Sequence, residues 1–281
     1  MGWRDVFPEL SRRTLLMGVV NVTPDSFSDG GRFLEASAAI AHGRALADEG
    51  ADIVDIGGES TRPGSTSISV EEELRRVLPV VEELAKVTHA RVSIDTTKAE
   101  VARRAIEAGA SIVNDVSGGT FDEALLADVS RAGALVVLMH TRARPSGMQR
   151  GSWEYEGGVV AAVRKHLAGS VEVARAAGIA PDEISVDPGI GFGKTVAENL
   201  ELLRALRTFA ELGVVLVGTS NKSFLGALTG REVEARGFAT AASVALAISS
   251  GADIVRVHDV RAMRDVTRVA DAFVREAFQG R

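Results

Sequence analysis

Short apolar runs alternate along the chain with longer stretches of helical periodicity, and nearly every run ends in a side chain that packing does not require. Residues 15–20 end at Asn21, 51–54 at Asp55, 91–94 at Asp95 and 111–113 at Asn114. Residues 134–139 end at His140 and 184–186 at Asp187, while 214–217 lead to Ser220 and Lys222 and 254–257 carry Arg256 and His258. Eight strand–helix units predict an α/β protein, a single closed parallel (β/α)8 barrel with its active site at the C-terminal ends of the strands. The polar terminators fall on that face.

The intervening helices are legible from their periodicity and their stops. Residues 36–49 place Ala38, Ala39, Leu46 and Ala47 on one face before Gly50, a natural C-cap. Ser69 and Glu72 have the capping-box spacing and open a helix that Pro79 should kink or divide. Further helices are read over 97–108, 121–132, 159–177 and 262–277. The junctions Glu49-Gly50-Ala51, Ala108-Gly109-Ala110 and Ser250-Gly251-Ala252 share one grammar, a repeat of the structural unit. Two strand-to-helix loops, 21–33 and 57–69, are long, and long loops on a short-looped scaffold usually serve function.

Composition narrows the picture. The 281 residues suit one barrel of roughly 250, with 1–13 as an N-terminal extension and no linker to suggest a second domain. The apolar runs are Val, Ile, Leu and Ala, and aromatic residues make up 5% of the chain, as suits parallel strands covered on both faces. A net charge of −6 without a basic stripe argues against a nucleic-acid partner. No run approaches the ~20 apolar residues of a membrane span, and residues 1–11 lack a signal-peptide core. Cysteine is absent, which excludes disulfides and thiolate chemistry. A cytoplasmic protein is expected.

Several segments carry chemistry. Residues 55–65 combine glycines, hydroxyls and Arg62, a donor fork matched to phosphate or carboxylate oxygens, directly after a strand end. A solvated turn is the bland alternative. Residues 187–195 resemble a nucleotide loop only superficially: Pro188 occupies the position of the first P-loop glycine, and glycines at 189, 191 and 193 do not fit G-x-G-x-x-G. A recognition loop with Phe192 lining a flat ligand fits better. Asp95, Asn114 and Asp187 converge as an acceptor wall for a heterocycle that presents N–H donors, although each residue type also favours helix N-caps. Arg256 and His258 alternate on one strand and, with Arg62, form a cationic corner for a phosphate or diphosphate. Lys222 can donate to a ligand carbonyl or ring nitrogen. His42, His89 and His166 are expected to face solvent. No zinc-type ligand spacing exists, whereas Mg2+ carried by a diphosphate and touching few protein oxygens is allowed.

These motifs resemble the dihydropteroate synthases, a pterin-binding TIM-barrel family. The resemblance runs from Leu16 to about Phe273 and rests on residues 21–31, 55–64, 94–96, 114–115, 138–140, 187–195 and 256–259. It implies condensation of 6-hydroxymethyl-7,8-dihydropterin diphosphate with p-aminobenzoate to 7,8-dihydropteroate. By matching position, Asp95, Asn114, Asp187, Lys222 and Arg256 would hold the pterin, with Met139 against its face. Asn21 would contact magnesium, and Thr61, Arg62, Arg256 and His258 with Asn21 would hold the diphosphate. Phe27, Thr61, Pro63, Phe192 and Ser223 would shape the p-aminobenzoate pocket. Arg256, His258, Lys222 and Asp95 would carry the chemistry, and no strong general base is needed because an arylamine is already unprotonated at neutral pH. The resemblance also implies a homodimer, with which the apolar stretch 241–248 is compatible.

Two departures stand out. Asn221 replaces the arginine usual before Lys222, and residues 141–147 differ while bringing in Arg142 and Arg144, candidates to compensate. Asn221 leaves open a non-catalytic or altered-specificity pterin-binding paralogue. A methyltetrahydrofolate-binding methyltransferase shares the acceptor logic but needs no cationic corner.

Overall fold

The computed structural model describes residues 1–23, 31–61, 64–144, 147 and 155–275, with 31–35 by backbone alone. Eight parallel strands close into a barrel in the order of the chain: β1 (Leu15–Asn21), β2 (Ile53–Gly57), β3 (Arg91–Asp95), β4 (Ile112–Asp115), β5 (Leu135–Met139), β6 (Ile184–Asp187), β7 (Val214–Val217) and β8 (Ile254–Val257). The helices are α1 (Trp3–Val6), α2 (Gly31–Glu49), α3 (Val70–Val87), α4 (Ala99–Glu107), α5 (Leu125–Ala132), α6 (Val159–Ala176), α7 (Val196–Arg204), α8 (Ser223–Thr229), α9 (Gly237–Ser249) and α10 (Val260–Val274).

Strand alternation divides the apolar residues into two cores. Val20, Val54, Ile56, Ile94, Val113, Val136, Val186, Val215 and Val257 join the helices in the outer core. Leu15, Met17, Ile53, Ile112, Leu135, Val137, Leu216 and Ile254 fill the barrel with Trp3, Phe7 and Leu10 of the N-terminal extension. That extension is therefore part of the barrel: α1 and a following 3-10 turn close its lower end, and Trp3 Nε1 donates to the Glu183 carbonyl at 3.1 Å. On the same interior faces the residues turn polar toward the strand C-termini, passing from Ile53 to Asp55, Ile112 to Asn114 and Ile254 to Arg256.

Two local expectations are corrected. The α3 helix is not divided at exposed Pro79 but continues through it, with Val77, Val80, Val81 and Leu84 anchoring its buried face. Ser69 does cap this helix, accepting from the Glu72 N–H at 3.2 Å. The Glu72 side chain turns away from the cap, to Arg75 and Arg76. The helix of 121–132 begins only at Leu125, because Asp122 spends its carboxylate on the N–H groups of Ala99 and Ala124.

Candidate active site

The upper interior of the barrel is a ring of charged and amide side chains. Asp95 aligns with Gly57 on one side and Asn114 on the other, and Met139 aligns with Asp187. Asp95, Asn114, Met139 and Asp187 are all buried. The predicted acceptor wall is thus assembled from β3, β4 and β6, with Met139 beside it.

Arg256 enters this ring from β8. Its Nε donates to Asp55 Oδ2 at 2.7 Å and its Nη2 to Asp95 Oδ2 at 2.8 Å. Burial works against the Arg256 cation, but the two carboxylates outweigh it and raise its pKa. Burial likewise pushes Asp95 up to about 7, against the pull of Arg256 and helped by the charge of Asp55. Asn114 Nδ2 completes the cluster, donating to the same Asp55 Oδ2 at 3.0 Å. Asp55 is fully buried and central, yet residue-by-residue expectation had left it out of the ligand set. Its place on the interior face between Ile53 and Gly57 was the available signal.

His258 follows Arg256 but lies further out, exposed, with Nδ1 2.9 Å from Ser220 Oγ. The cationic pair is therefore split in depth: Arg256 is locked into the carboxylate wall and His258 stands at the rim. Asn21 ends β1 opposite Gly57, partly exposed, and Thr61 is partly exposed in the loop after β2. Phe27, Arg62 and Pro63 lie outside the described residues.

The loop after β6 is held from both sides. Asp187 Oδ1 accepts from the Gly189 N–H at 2.7 Å, while burial raises the Asp187 pKa. Lys194 Nζ donates to the carbonyls of Gly189 at 2.7 Å and Phe192 at 3.1 Å. Burial lowers its pKa to about 7, so its proton is held weakly although these two carbonyls and that of His140, at 3.5 Å, surround it. Gly189 is obligatory here: its φ is +71°, and a Cβ would lie 2.1 Å from the His140 carbonyl oxygen. Lys222 crosses the same loop, donating to the Ile190 carbonyl with its ammonium 4.5 Å from the Phe192 ring centre. Burial lowers its pKa to about 8, and nearby Asp187 opposes the shift. Lys222 and Phe192 are thus brought together with Asp187, and exposed Ser223 starts α8 immediately beyond.

Asn221 is, among the described residues, the one non-glycine with positive φ, at 60°. Its N–H donates to Thr240 Oγ1 at 3.2 Å and its carbonyl accepts from Arg236 Nη1 at 2.9 Å. Arg142 stacks on Tyr155 at 3.4 Å, and Arg144 on Phe121 at 4.3 Å. His42 and His89 are exposed as expected, but His166 is not: its ring packs edge-on against buried His140 with centres 4.8 Å apart. Burial, with Lys194 nearby, lowers the His140 pKa to about 2 and keeps it neutral.

The loop after β2 has its own anchor. Lys98 Nζ donates to Glu59 at 2.6 Å and Glu73 at 2.5 Å, and Glu59 also accepts from the Ile68 N–H. Thr61 sits two residues beyond this pin.

The family model for pterin-binding enzymes matches residues 17–258. The dihydropteroate synthase of Mycobacterium leprae is 48% identical over 92% of this chain and 93% of its own length. That of Synechocystis sp. is 46% identical over 94% and 91%. The Xanthomonas albilineans dihydropteroate synthase, solved with 4-aminobenzoic acid, superposes with a TM-score of 0.87 at 46% identity, covering 94% of both chains. The Clostridium difficile enzyme, solved with pteroic acid, gives 0.88 at 41%, covering 94% and 98%. With the acceptor wall, the bridging arginine and this likeness over almost its whole length, the chain belongs to the dihydropteroate synthases of the pterin-binding enzyme family.

Proposed function

We propose that the acceptor wall takes the pterin ring and that Arg256, with His258 and the loops above it, takes the diphosphate, as the chain condenses 6-hydroxymethyl-7,8-dihydropterin diphosphate with p-aminobenzoate. The products are 7,8-dihydropteroate and diphosphate, and the step belongs to folate biosynthesis. One observation carries the division: buried Asp95, Asn114 and Asp187 stand around a single barrel interior into which Arg256 and Lys222 reach.

Asp95, Asn114 and Asp187 accept N–H groups along one edge of the pterin, Lys222 donates to its oxygen or ring nitrogen, and Met139 lies against its face. Asn21, Thr61, Arg62, Arg256 and His258 hold the diphosphate and stabilise the charge that grows on its oxygens as the methylene–oxygen bond breaks. Phe27, Thr61, Pro63, Phe192 and Ser223 bound the p-aminobenzoate pocket. The arylamine nitrogen attacks with its own lone pair, so no side chain has to remove a proton first. Water is kept from the methylene carbon by the loops after β1 and β2.

Among the described residues no three carboxylate, imidazole or thiol groups gather to hold a metal. The single carboxamide oxygen of Asn21 fits a Mg2+ ion that arrives on the diphosphate and keeps most of its oxygen ligands from phosphate and water. When bound, Mg2+ supplies charge neutralisation to the leaving group.

A homodimer and a cytoplasmic location belong to the same reading. Phe238 and Leu246 of α9 are 94% and 66% exposed and Leu228 of α8 is also exposed, apolar surface that a second copy would cover. Sedimentation of Leu246→Glu at unchanged helicity should give monomer where the native chain gives dimer; a monomeric native chain would remove the dimer from the reading. For catalysis, purified chain with both substrates and Mg2+ should release dihydropteroate. Arg256→Ala should impair use of the pterin diphosphate more than binding of the same pterin without diphosphate. Equal losses would place the diphosphate elsewhere, and pterin binding without product would mark a non-catalytic paralogue.

A further inference from the structure

We infer that Asp55 is the positioning residue of pterin recognition, fixing Asn114 as a hydrogen-bond acceptor and Arg256 in its orientation; the inference rests on the functional reading above. Asp55 is completely buried on the interior face of β2, one interior position below Gly57. Because Gly57 carries no side chain, nothing on β2 covers the wall above Asp55, and Asp95 stands 3.6 Å from where a Cβ would be. Asp55 is thus placed under the ligand site, where it acts through its neighbours.

The direction of each hydrogen bond decides what those neighbours offer. Asp55 Oδ2 already accepts from the Arg256 Nε–H, so Asn114 must turn its NH2 group to that oxygen, as it does at 3.0 Å. The carboxamide oxygen of Asn114 is then the end left for a ligand, an acceptor for a ring or exocyclic N–H. Without Asp55 the amide is free to flip and present a donor where the pterin also has a donor. Arg256 is fixed by the same oxygen: Nε on Asp55 and Nη2 on Asp95 pin two of its three nitrogens. Nη1 and the flat guanidinium face remain for the substrate. A ligand edge of N–H donors is therefore selected over an isosteric edge of acceptors.

The test titrates 6-hydroxymethyl-7,8-dihydropterin, without diphosphate, into the native chain and variants, with KM measured for each substrate. Asp55→Asn should weaken pterin binding by about 10- to 100-fold, the scale of hydrogen bonds to a charged group, and leave the KM for p-aminobenzoate unchanged. Combined with Asn114→Ala, the Asp55→Asn loss should shrink, since the two act as one unit. If Asp55→Asn does not fold, Asp55→Ser, smaller and still able to accept a hydrogen bond, carries the same cycle with Asn114→Ala. Losses that multiply in full overturn the inference. Native binding with Asp55→Asn unaffected overturns this inference alone; a native chain that binds no dihydropterin overturns the functional reading with it.

Discussion

If Lys222 donates to the pterin as proposed, its contributions to stability and to ligand binding depend oppositely on pH, so a titration can separate the two. Its pKa falls from 10.5 to about 8, chiefly through burial, with Arg256 adding to the shift and Asp187 opposing it. Below about 8 the folded chain carries the full penalty of a buried ammonium. Between about 8 and 10.5 the unfolded chain holds the proton and the folded chain sheds it. Stability attributable to this group therefore rises with pH across that window. Solvent still reaches part of the side chain, which limits the effect to roughly 1–3 kcal/mol.

Binding runs the other way. A neutral amine offers the pterin a weaker donor and no charge, so affinity should fall as pH rises through about 8, by about 10- to 100-fold once the ammonium is gone. Calorimetric titration of dihydropterin into native chain, Lys222→Arg and Lys222→Met across the window measures this. The arginine variant keeps its charge throughout and reports any titration of the ligand itself. Native chain should lose affinity relative to Lys222→Arg as pH rises, and Lys222→Met should start weak and show no such divergence. Parallel profiles for native chain and Lys222→Arg would refute the assignment of a titrating donor to this position.

Two further outcomes follow from packing. Lys98→Met leaves Glu73, 1% exposed, as a buried charge without its cation and should destabilise by about 3–5 kcal/mol. Adding Glu73→Gln should recover part of that in denaturant melts, and full additivity would mean the pair is not coupled. Asn221→Arg places a long side chain at φ 60° and should lose about 1 kcal/mol, while Asn221→Gly stays within about 0.5 kcal/mol of native. An arginine variant as stable as the native chain would show that the turn relaxes freely.

Periodicity made the barrel readable because each strand had to hide both faces and each helix one. Residues 15–20 or 134–139 admit no other use in a chain of this length. Local failures have local causes. Pro79 was expected to kink or divide its helix, which instead is undivided there and buries Val77, Val80 and Val81 on its inner face. Residues 121–124 have helical composition, but Asp122 finds better use for its carboxylate across the gap at Ala99. His166 looked like one more surface residue of an amphipathic helix; only the fold brings it against His140, whose ring needs a neighbour it can bury.

The site was legible as positions and less so as pairings. Asp95, Asn114 and Asp187 were recoverable because each lies at or next to the end of a strand, and strand ends in a parallel barrel converge. Where Arg256 would spend its charge was not recoverable from its own strand, since Asp55 lies 201 residues away in sequence. Charge balance supplies the missing step. Asp55 inside β2 and Asp95 and Asp187 at the ends of β3 and β6 face one barrel interior, and burying three carboxylates without cations is prohibitive. Any basic residue on an interior strand position is drawn to them before it is available to a substrate. Arg256 is such a residue, alternating with Ile254 inside β8, and Lys222 reaches the same acidic interior from the loop after β7. The cations at the top of this barrel are therefore committed first to the protein's own acids, and under the proposed function the diphosphate would meet an arginine already held in place.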